Sequence, residues 1–222
     1  MEPNYQKRLC QQCERRGITL SETQLQRLLQ YLELLLRWRL HLNLTGLRDA
    51  ERIIDVLIGE SLDFFQGDFL VPGMRVLDLG TGAGVPGIPL AICSVGLRFT
   101  LLDRSEKKIT FLHRVVSMLR LENCQPCCGT AEDLARSLTP TQRFDTVVSR
   151  GVGHIAHLIR LAALGRRSQT PHLCWRIEHR PLEAKWLNHL RASQAIETCT
   201  GHAFDHTAEE NIVQIAVDHL PD

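Results

Sequence analysis

The stretch VLDLGTGAGVPGIPLAI, residues 76–92, decides the fold, because a glycine-rich turn joins an apolar strand-like run to an apolar helix-like run. Within it, GAGVPG at 82–87 matches the GxGxxG spacing of turns that hold a pyrophosphate at a helix N-terminus. Asp78 precedes the glycines, and Pro86 and Pro89 follow them. These three residues raise the question of which nucleoside ligand the turn accepts.

The prolines and the aspartate count against a dinucleotide. Pro86 has no N–H, so the first turn of the helix loses a donor for phosphate. Asp78 ends the strand, where its charge would face the ligand crevice, repel a diphosphate and favour a cation. S-Adenosylmethionine is such a ligand, and we predict contacts to it from Asp78 and from three glycines whose backbone can approach closely: Gly80, Gly82 and Gly84. An NAD-dependent oxidoreductase and a structural turn capped by Asp78 are the alternatives.

Strand-like and helix-like segments alternate around this turn. Apolar runs predict strands at 74–80, 99–103, 123–128 and 144–149, and intervening periodic segments predict helices at 87–94, 106–121 and 131–137. This alternation predicts a parallel sheet covered on both faces, with ligands at the C-terminal strand ends. Asp103 ends the second strand, where it can accept hydrogen bonds from ribose or cap the next helix. Further on, we predict helices at 154–164 and 181–193 and strands at 173–177 and 211–220.

The first seventy residues are predicted to be helical. Ser21 and Gln24 form a capping box, and six leucines then recur at helical spacing: Leu25, Leu28, Leu29, Leu32, Leu35 and Leu36. Residues 37–54, RWRLHLNLTGLRDAERII, interleave cationic and aromatic side chains, which suits either an RNA-facing surface or a solvated face. We therefore divide the chain into a helical extension at 1–70 and an α/β domain at 71–222.

Composition limits the classes of function. The chain has 222 residues and a formal net charge of +1, so any RNA contact must come from a local patch. No run approaches the ~20 apolar residues of a membrane span, and the N-terminus lacks the apolar centre of a signal peptide. We expect a soluble, cytoplasmic monomer. Of the eight cysteines, two CxxC pairs at 10–13 and 124–127 raise a zinc site as an alternative, but reduced thiols without a metal are favoured.

Four segments carry a resemblance to a known family: LNLTGLRD at 42–49, the stretch at 76–92, FTLLDRSEKKITFL at 99–112 and FDTVVSRGV at 144–152. They resemble the bacterial 16S ribosomal RNA guanine-N7 methyltransferases of the glucose-inhibited division protein B type. The resemblance implies a class I S-adenosylmethionine-dependent methyltransferase fold, with a Rossmann-like, mostly parallel seven-stranded sheet and an N-terminal helical extension. It implies 16S ribosomal RNA, in the small ribosomal subunit, as the substrate. A non-catalytic RNA-binding or assembly protein with this fold is the alternative.

The resemblance also implies particular site residues. Cofactor contacts are expected at Gly80, Val85, Asp103, Ala131 and Glu132. Arg150 matches a family arginine at the mouth of the active site, where it can meet a ligand carboxylate or an RNA phosphate. The other cationic candidates for RNA contact are Arg37, Arg39, Arg48, Lys107 and Lys108. Guanine N7 has a lone pair and no proton, so the reaction needs positioning but no general base, and no catalytic residue is predicted.

The chain departs from the family pattern at a few positions on the predicted substrate side. In DVLIGES, residues 55–61, Leu57 stands in place of a histidine and Glu60 in place of an aspartate. Gly151 and His154 follow the strand that ends at Arg150, where the family has other residues, and Arg176 replaces a terminal lysine.

Overall fold

A computed structural model of the protein describes residues 3–65 and 70–150, and it describes three further strands, 172–176, 199–203 and 211–216, as backbone. The described N-terminal part is helical, as predicted. Its helices are α1 at Pro3–Glu14, α2 at Glu22–Leu42 and the short α3 at Ala50–Arg52. α3 runs on as a π-helix at Ile53–Gly59 and a 3-10 helix at Glu60–Phe65.

α2 begins and ends at the residues that its sequence indicates. The Ser21 hydroxyl accepts the Gln24 N–H, and the Gln24 side chain accepts the Ser21 N–H, which completes the predicted capping box. Asn43 ends the helix in the left-handed conformation. The buried side of α2 consists of Leu28, Tyr31, Leu32, Leu34 and Leu35, while Leu25, Leu29 and Leu36 are half-buried.

A seven-stranded sheet follows, with strand order β3-β2-β1-β4-β5-β7-β6. The first five strands are parallel, β7 is antiparallel to β5, and β6 is antiparallel to β7. The order turns outward in both directions from β1 and β4, so the switch point lies between those two strands. The strand bounds are β1 Arg75–Leu79, β2 Arg98–Asp103, β3 Cys124–Cys128, β4 Thr146–Arg150, β5 His172–Arg176, β6 Cys199–Ala203 and β7 Asn211–Ala216.

Three helices connect the described parallel strands. α4 at Gly87–Cys93 joins β1 to β2, α5 at Glu106–Leu119 joins β2 to β3, and α6 at Ala131–Ser137 follows β3, before a 3-10 turn at Pro140–Gln142. α2 packs on both α4 and α5, and one apolar core runs through all of them. The N-terminal helices thus share a core with the sheet.

The predicted strands and helices before residue 150 are all present, and β5 and β7 lie where the sequence placed them. The strand β6 was not predicted. The predicted helices at 154–164 and 181–193 fall outside the described residues. None of the helices within the described part is long and apolar enough to cross a membrane.

Candidate functional site

The glycine turn lies at the C-terminal end of β1, and its backbone N–H groups are almost all engaged within the protein. Gly80 and Thr81 donate to the Leu102 carbonyl at 2.9 and 3.0 Å, and Gly82 donates to the Asp103 carboxylate at 3.0 Å. The next donors close the turn on itself: Gly84 and Val85 bond to the Thr81 carbonyl, and Ile88 bonds to the Gly84 carbonyl. A ligand therefore meets a turn whose shape is already fixed by internal hydrogen bonds.

Asp78 lies beneath this turn and not in the crevice, which corrects the prediction that its side chain faces the ligand. It is fully buried. Its Oδ2 accepts the Gly87 N–H at 2.8 Å and the Thr81 hydroxyl at 2.6 Å, so it caps α4 as the structural alternative proposed. Its Oδ1 has no hydrogen-bond partner among the described atoms. Burial is the main cause that raises the pKa of this carboxyl to about 7, against the hydrogen bonds from Thr81 and Gly87, which lower it.

The N-terminus of α4 is consequently closed to a diphosphate. Pro86 carries no N–H, the Gly87 N–H is held by Asp78, and Ile88 bonds back to the turn. In a dinucleotide site these first-turn donors are the ones that face the pyrophosphate. The geometry therefore counts against an NAD-dependent oxidoreductase, for the reason that the prolines suggested and with Asp78 acting from below.

The glycines of the turn have different functions, and only some match the prediction of close ligand approach. A Cβ at Gly82 would meet only the Gly80 carbonyl, at 3.8 Å, so this side of the turn is open. A Cβ at Gly84 would lie 2.6 Å from Ile88 and 2.8 Å from Leu112, so this glycine faces the core. Gly84 therefore serves packing, and its φ of +100° adds a second reason for glycine.

Asp103 at the end of β2 holds the other side of the turn. Its Oδ2 accepts the Gly82 N–H and its Oδ1 accepts the Ser105 N–H at 2.9 Å. Lys108 Nζ lies 3.8 Å from Oδ2. The side chain is 13% exposed, so the carboxylate keeps an accessible edge with unused acceptor capacity toward solvent. This is the position from which a ribose diol can be bound.

Three more predicted cofactor residues surround the same end of the sheet. Val85 is half-buried in the glycine turn. Ala131 is buried and Glu132 is half-buried at the start of α6, one turn after β3, with Thr130 capping the helix through the Asp133 N–H. β3 is parallel to β2, and Asp103 pairs with Cys128 at the C-terminal ends of these two strands. The start of α6, which follows β3, therefore lies at the same end of the sheet as Asp103.

Arg150 ends β4 on the far side of the switch point from the glycine turn. The register pairs Asp78 with Val148, so Arg150 lies two residues further along, level with Gly80. Its Nη2 donates to Glu60 Oε2 at 2.9 Å, and the two side chains are 2% and 10% exposed. Arg150 is therefore buried and cannot be the surface RNA contact that was predicted as one of its roles. The substituted position Glu60 is its partner, a pairing that sequence reasoning missed.

Tyr31 is a second residue that sequence reasoning missed. It is fully buried on α2, and its hydroxyl donates to the Ala83 carbonyl, within the glycine turn, at 3.0 Å. In the sequence it lies inside the leucine stripe, where its spacing indicates only core packing. Ser149 on β4 similarly fixes the end of β1 by donating to the Leu79 carbonyl at 2.9 Å.

The predicted RNA-facing arginines divide into two groups. Arg37 and Arg48 are exposed. Arg39 is half-buried and folds back on the backbone, donating to the carbonyls of Leu36 and Arg48, so it ties the loop after α2 instead of facing solvent. A cationic and aromatic surface is nevertheless present, because the guanidinium of Arg114 on α5 lies 5.8 Å from the centre of the Trp38 ring. Lys107 is exposed and Lys108 is held near Asp103.

The six cysteines within residues 3–65 and 70–150 are free thiols. Burial raises the pKa of Cys13 to about 11 and raises those of Cys93 and Cys124 further. Across residues 3–65, 70–150 and the three later strands, no group of three or more His, Cys, Asp or Glu side chains is arranged to hold a metal ion.

With this geometry in hand, similarity to known proteins is informative. A family model described as rRNA small subunit methyltransferase G matches residues 24–211. Proteins named ribosomal RNA small subunit methyltransferase G from Lachnoclostridium phytofermentans and Chromobacterium violaceum are 39% and 37% identical over 145 residues, 65% of this chain. The chain spans 60% and 66% of the lengths of these two relatives.

Solved structures agree on the architecture. A SAM-dependent methyltransferase from Aquifex aeolicus superposes with a TM-score of 0.54, covering 79% of this chain and 97% of that one at 16% sequence identity. At this identity the likeness shows a common fold, and it confirms the predicted class I methyltransferase architecture.

Proposed function

This chain belongs to the rRNA small subunit methyltransferase G family, and from that membership we propose that it transfers a methyl group from S-adenosylmethionine to N7 of a guanine in 16S ribosomal RNA. The observation that carries the cofactor assignment is the glycine turn, where Asp78 and Pro86 leave no first-turn donor for a diphosphate. A nucleoside ligand without a diphosphate suits such a turn. Bound S-adenosylmethionine would supply an electrophilic methyl group.

The described residues at the C-terminal ends of the parallel strands suit this ligand. The accessible edge of Asp103 can accept hydrogen bonds from the ribose hydroxyls while its other lone pairs hold Gly82 and Ser105. Gly82 leaves open space on the ligand side of the turn. Val85, Ala131 and Glu132 are proposed to line the remaining part of the cofactor site.

The protein's contribution to the reaction is positioning. Guanine N7 presents a lone pair and carries no proton, so none of the described side chains has to remove one. Holding the base in line with the methyl group at about 3 Å removes much of the entropic barrier. We propose that Arg37 and Arg48, together with Arg114 above Trp38, bind RNA phosphates and so orient the substrate.

The substrate class also sets the cellular context. Small-subunit ribosomal RNA is made and assembled in the bacterial cytoplasm, where we place the protein, and we expect it to act as a monomer. The small net charge of +1 is compatible with RNA binding when the cations are gathered in one patch and shape contributes to recognition.

The test is methyl transfer from tritiated S-adenosylmethionine to unmethylated 16S ribosomal RNA and to small subunits, followed by mapping of the labelled base. Label at N7 of one guanine supports the proposal. Tight cofactor binding without transfer would favour the non-catalytic RNA-binding alternative, and binding of NADH without S-adenosylmethionine would overturn the cofactor assignment. Asp103→Ala should weaken cofactor binding strongly, whereas Glu33→Ala on the exposed side of α2, which also removes one carboxylate, should leave it unchanged as the control.

A further inference from the structure

Two buried polar side chains from the N-terminal helices form hydrogen bonds with segments of the proposed cofactor site. Tyr31 on α2 bonds to Ala83 in the glycine turn, and Glu60 bonds to Arg150 at the end of β4. We propose that Tyr31 and Glu60 are positioning residues of the cofactor site, Tyr31 for the glycine turn and Glu60 for the guanidinium of Arg150. This inference rests on the proposed function, because it assigns these residues to binding of S-adenosylmethionine.

The Tyr31 contact is directed at the ligand-bearing segment. Ala83 lies between Gly82 and Gly84. A Cβ at Gly82 would point into open space on the proposed ligand side, whereas a Cβ at Gly84 would point into the core. The phenol oxygen would also be 3.4 Å from a Cβ at Gly84, so the ring lies directly beneath the turn. Ala83 itself is 2% exposed, so its carbonyl has little access to water as an alternative donor.

The Tyr31 hydroxyl remains a donor under all working conditions. Burial, followed by the nearby carboxyl of Asp78, raises the pKa of Tyr31 well above its usual value, while the charge of Arg150 acts in the opposite direction. The phenol therefore keeps its proton. Asp78 and Arg150 therefore each lie within electrostatic reach of the Tyr31 hydroxyl.

The Glu60 contact fixes the opposite wall. A guanidinium on the last residue of a strand can adopt many rotamers, and a buried carboxylate at 2.9 Å restricts it to a few. Glu60 begins the 3-10 helix that follows the π-helix, so its position depends on how the N-terminal helices pack. The π-helix before it is tied to α1 by Arg8 and Gln12, which both bond to Asp55. The N-terminal helices thus contact both the glycine turn, through Tyr31, and Arg150, through Glu60.

Tyr31→Phe tests the first contact, and Tyr5→Phe is its control, because Tyr5 is the other tyrosine of the chain and packs on the core from α1. Affinities for S-adenosylmethionine and S-adenosylhomocysteine are measured by calorimetry, and backbone hydrogen exchange is followed over 80–88. Tyr31→Phe should weaken both ligands about five-fold and speed exchange in the turn, and it should still unfold in one cooperative thermal transition, which shows that the variant is folded. Wild-type affinity together with unchanged exchange would overturn the Tyr31 assignment.

Glu60 is tested by a double-mutant cycle with Arg150. Glu60→Gln should weaken cofactor binding about ten-fold in the wild-type background and have no further effect in Arg150→Gln, since Glu60 acts through Arg150. Equal effects in both backgrounds would overturn the positioning role. Glu60→Asp, which keeps the charge, should restore part of the affinity, and it replaces Glu60→Gln in the cycle if the latter fails to fold.

The same measurements separate this inference from the proposed function. A folded wild-type protein that binds neither ligand would refute the proposed function. In that case faster exchange over 80–88 in Tyr31→Phe than in Tyr5→Phe would still support the structural link to the turn, and identical exchange would refute it.

Discussion

The buried carboxyl of Asp78 makes the stability of this protein fall as pH rises, and Asp78→Asn should remove that dependence. The pKa of Asp78 is raised from 3.8 to about 7 in the folded state. Between those values the unfolded chain has lost the proton while the folded protein retains it. Stability therefore decreases with increasing pH across this window and levels off above the folded pKa.

The two pKa values fix the size of the effect. From pH 5 to pH 7 the wild-type protein should lose about 2 kcal/mol of unfolding free energy from this group alone, as an order of magnitude. Asparagine cannot ionise, and any penalty for its amide next to the Gly87 N–H is the same at every pH. The difference in stability between Asp78→Asn and wild type should therefore shift by about 2 kcal/mol in favour of asparagine over that range.

The assay is urea unfolding of both proteins at half-unit steps from pH 5 to pH 8.5. Glu33→Gln on the exposed side of α2 controls for removal of one carboxylate. Thr81→Val supplies a second check, because the Thr81 hydroxyl stabilises the ionised form and its removal should extend the window to higher pH. Parallel curves for wild type and Asp78→Asn would refute the placement of Asp78 as a buried carboxyl under the turn.

Three further outcomes are expected. Gly87→Ala should lower the free energy of unfolding in urea by about 1–3 kcal/mol, because its Cβ would lie 2.3 Å from Leu101 and 2.6 Å from the Asp78 carboxylate. Gly46→Ala, whose Cβ would have nothing within 4 Å, should be near neutral, and equal stabilities of the two variants would contradict the packing at Gly87. Arg37→Gln with Arg48→Gln should weaken RNA binding and reduce the slope of log affinity against log salt by about two, and an unchanged slope would exclude these side chains as phosphate contacts. In the native protein at pH 8, the exposed Cys128 should react with a thiol reagent well before the buried Cys13 and Cys124, which mass mapping of the labelled sites would check; early labelling of Cys124 would contradict its burial.

The parts of the fold that could be predicted are those that short sequence patterns determine. The apolar run before the glycines, the Ser21 capping box and the periodic segment that forms α5 each depend on neighbours within a few residues, and all are present. β6 was not predicted because CTGHA has neither an apolar run nor a period-two pattern. Its place at the edge, beside β7, depends on pairing and not on local propensity.

The candidate site could be proposed from the sequence, but the contacts of its residues could not all be predicted. The order of strand, acid, glycines and second acid identified the segment that contains Asp103 and Gly82. Glu60 and Arg150 are ninety positions apart, and no local pattern relates them. Asp78 was expected to face the crevice because it ends a strand, but the side chain alternates to the face that α4 covers, where Gly87 and Thr81 supply donors.

The glycine turn also explains how one GxGxxG motif can occur in proteins that bind different ligands. A helix N-terminus offers a small number of unpaired N–H groups, and an anion can satisfy them either from outside, as a phosphate, or from within, as a side chain. Here Asp78 does so from within, and Pro86 removes one donor altogether. The internal carboxyl group and an external diphosphate would compete for the same N–H groups. Asp78 beneath the turn and Pro86 at its end therefore disfavour a diphosphate ligand, and the glycines alone do not determine which ligand binds.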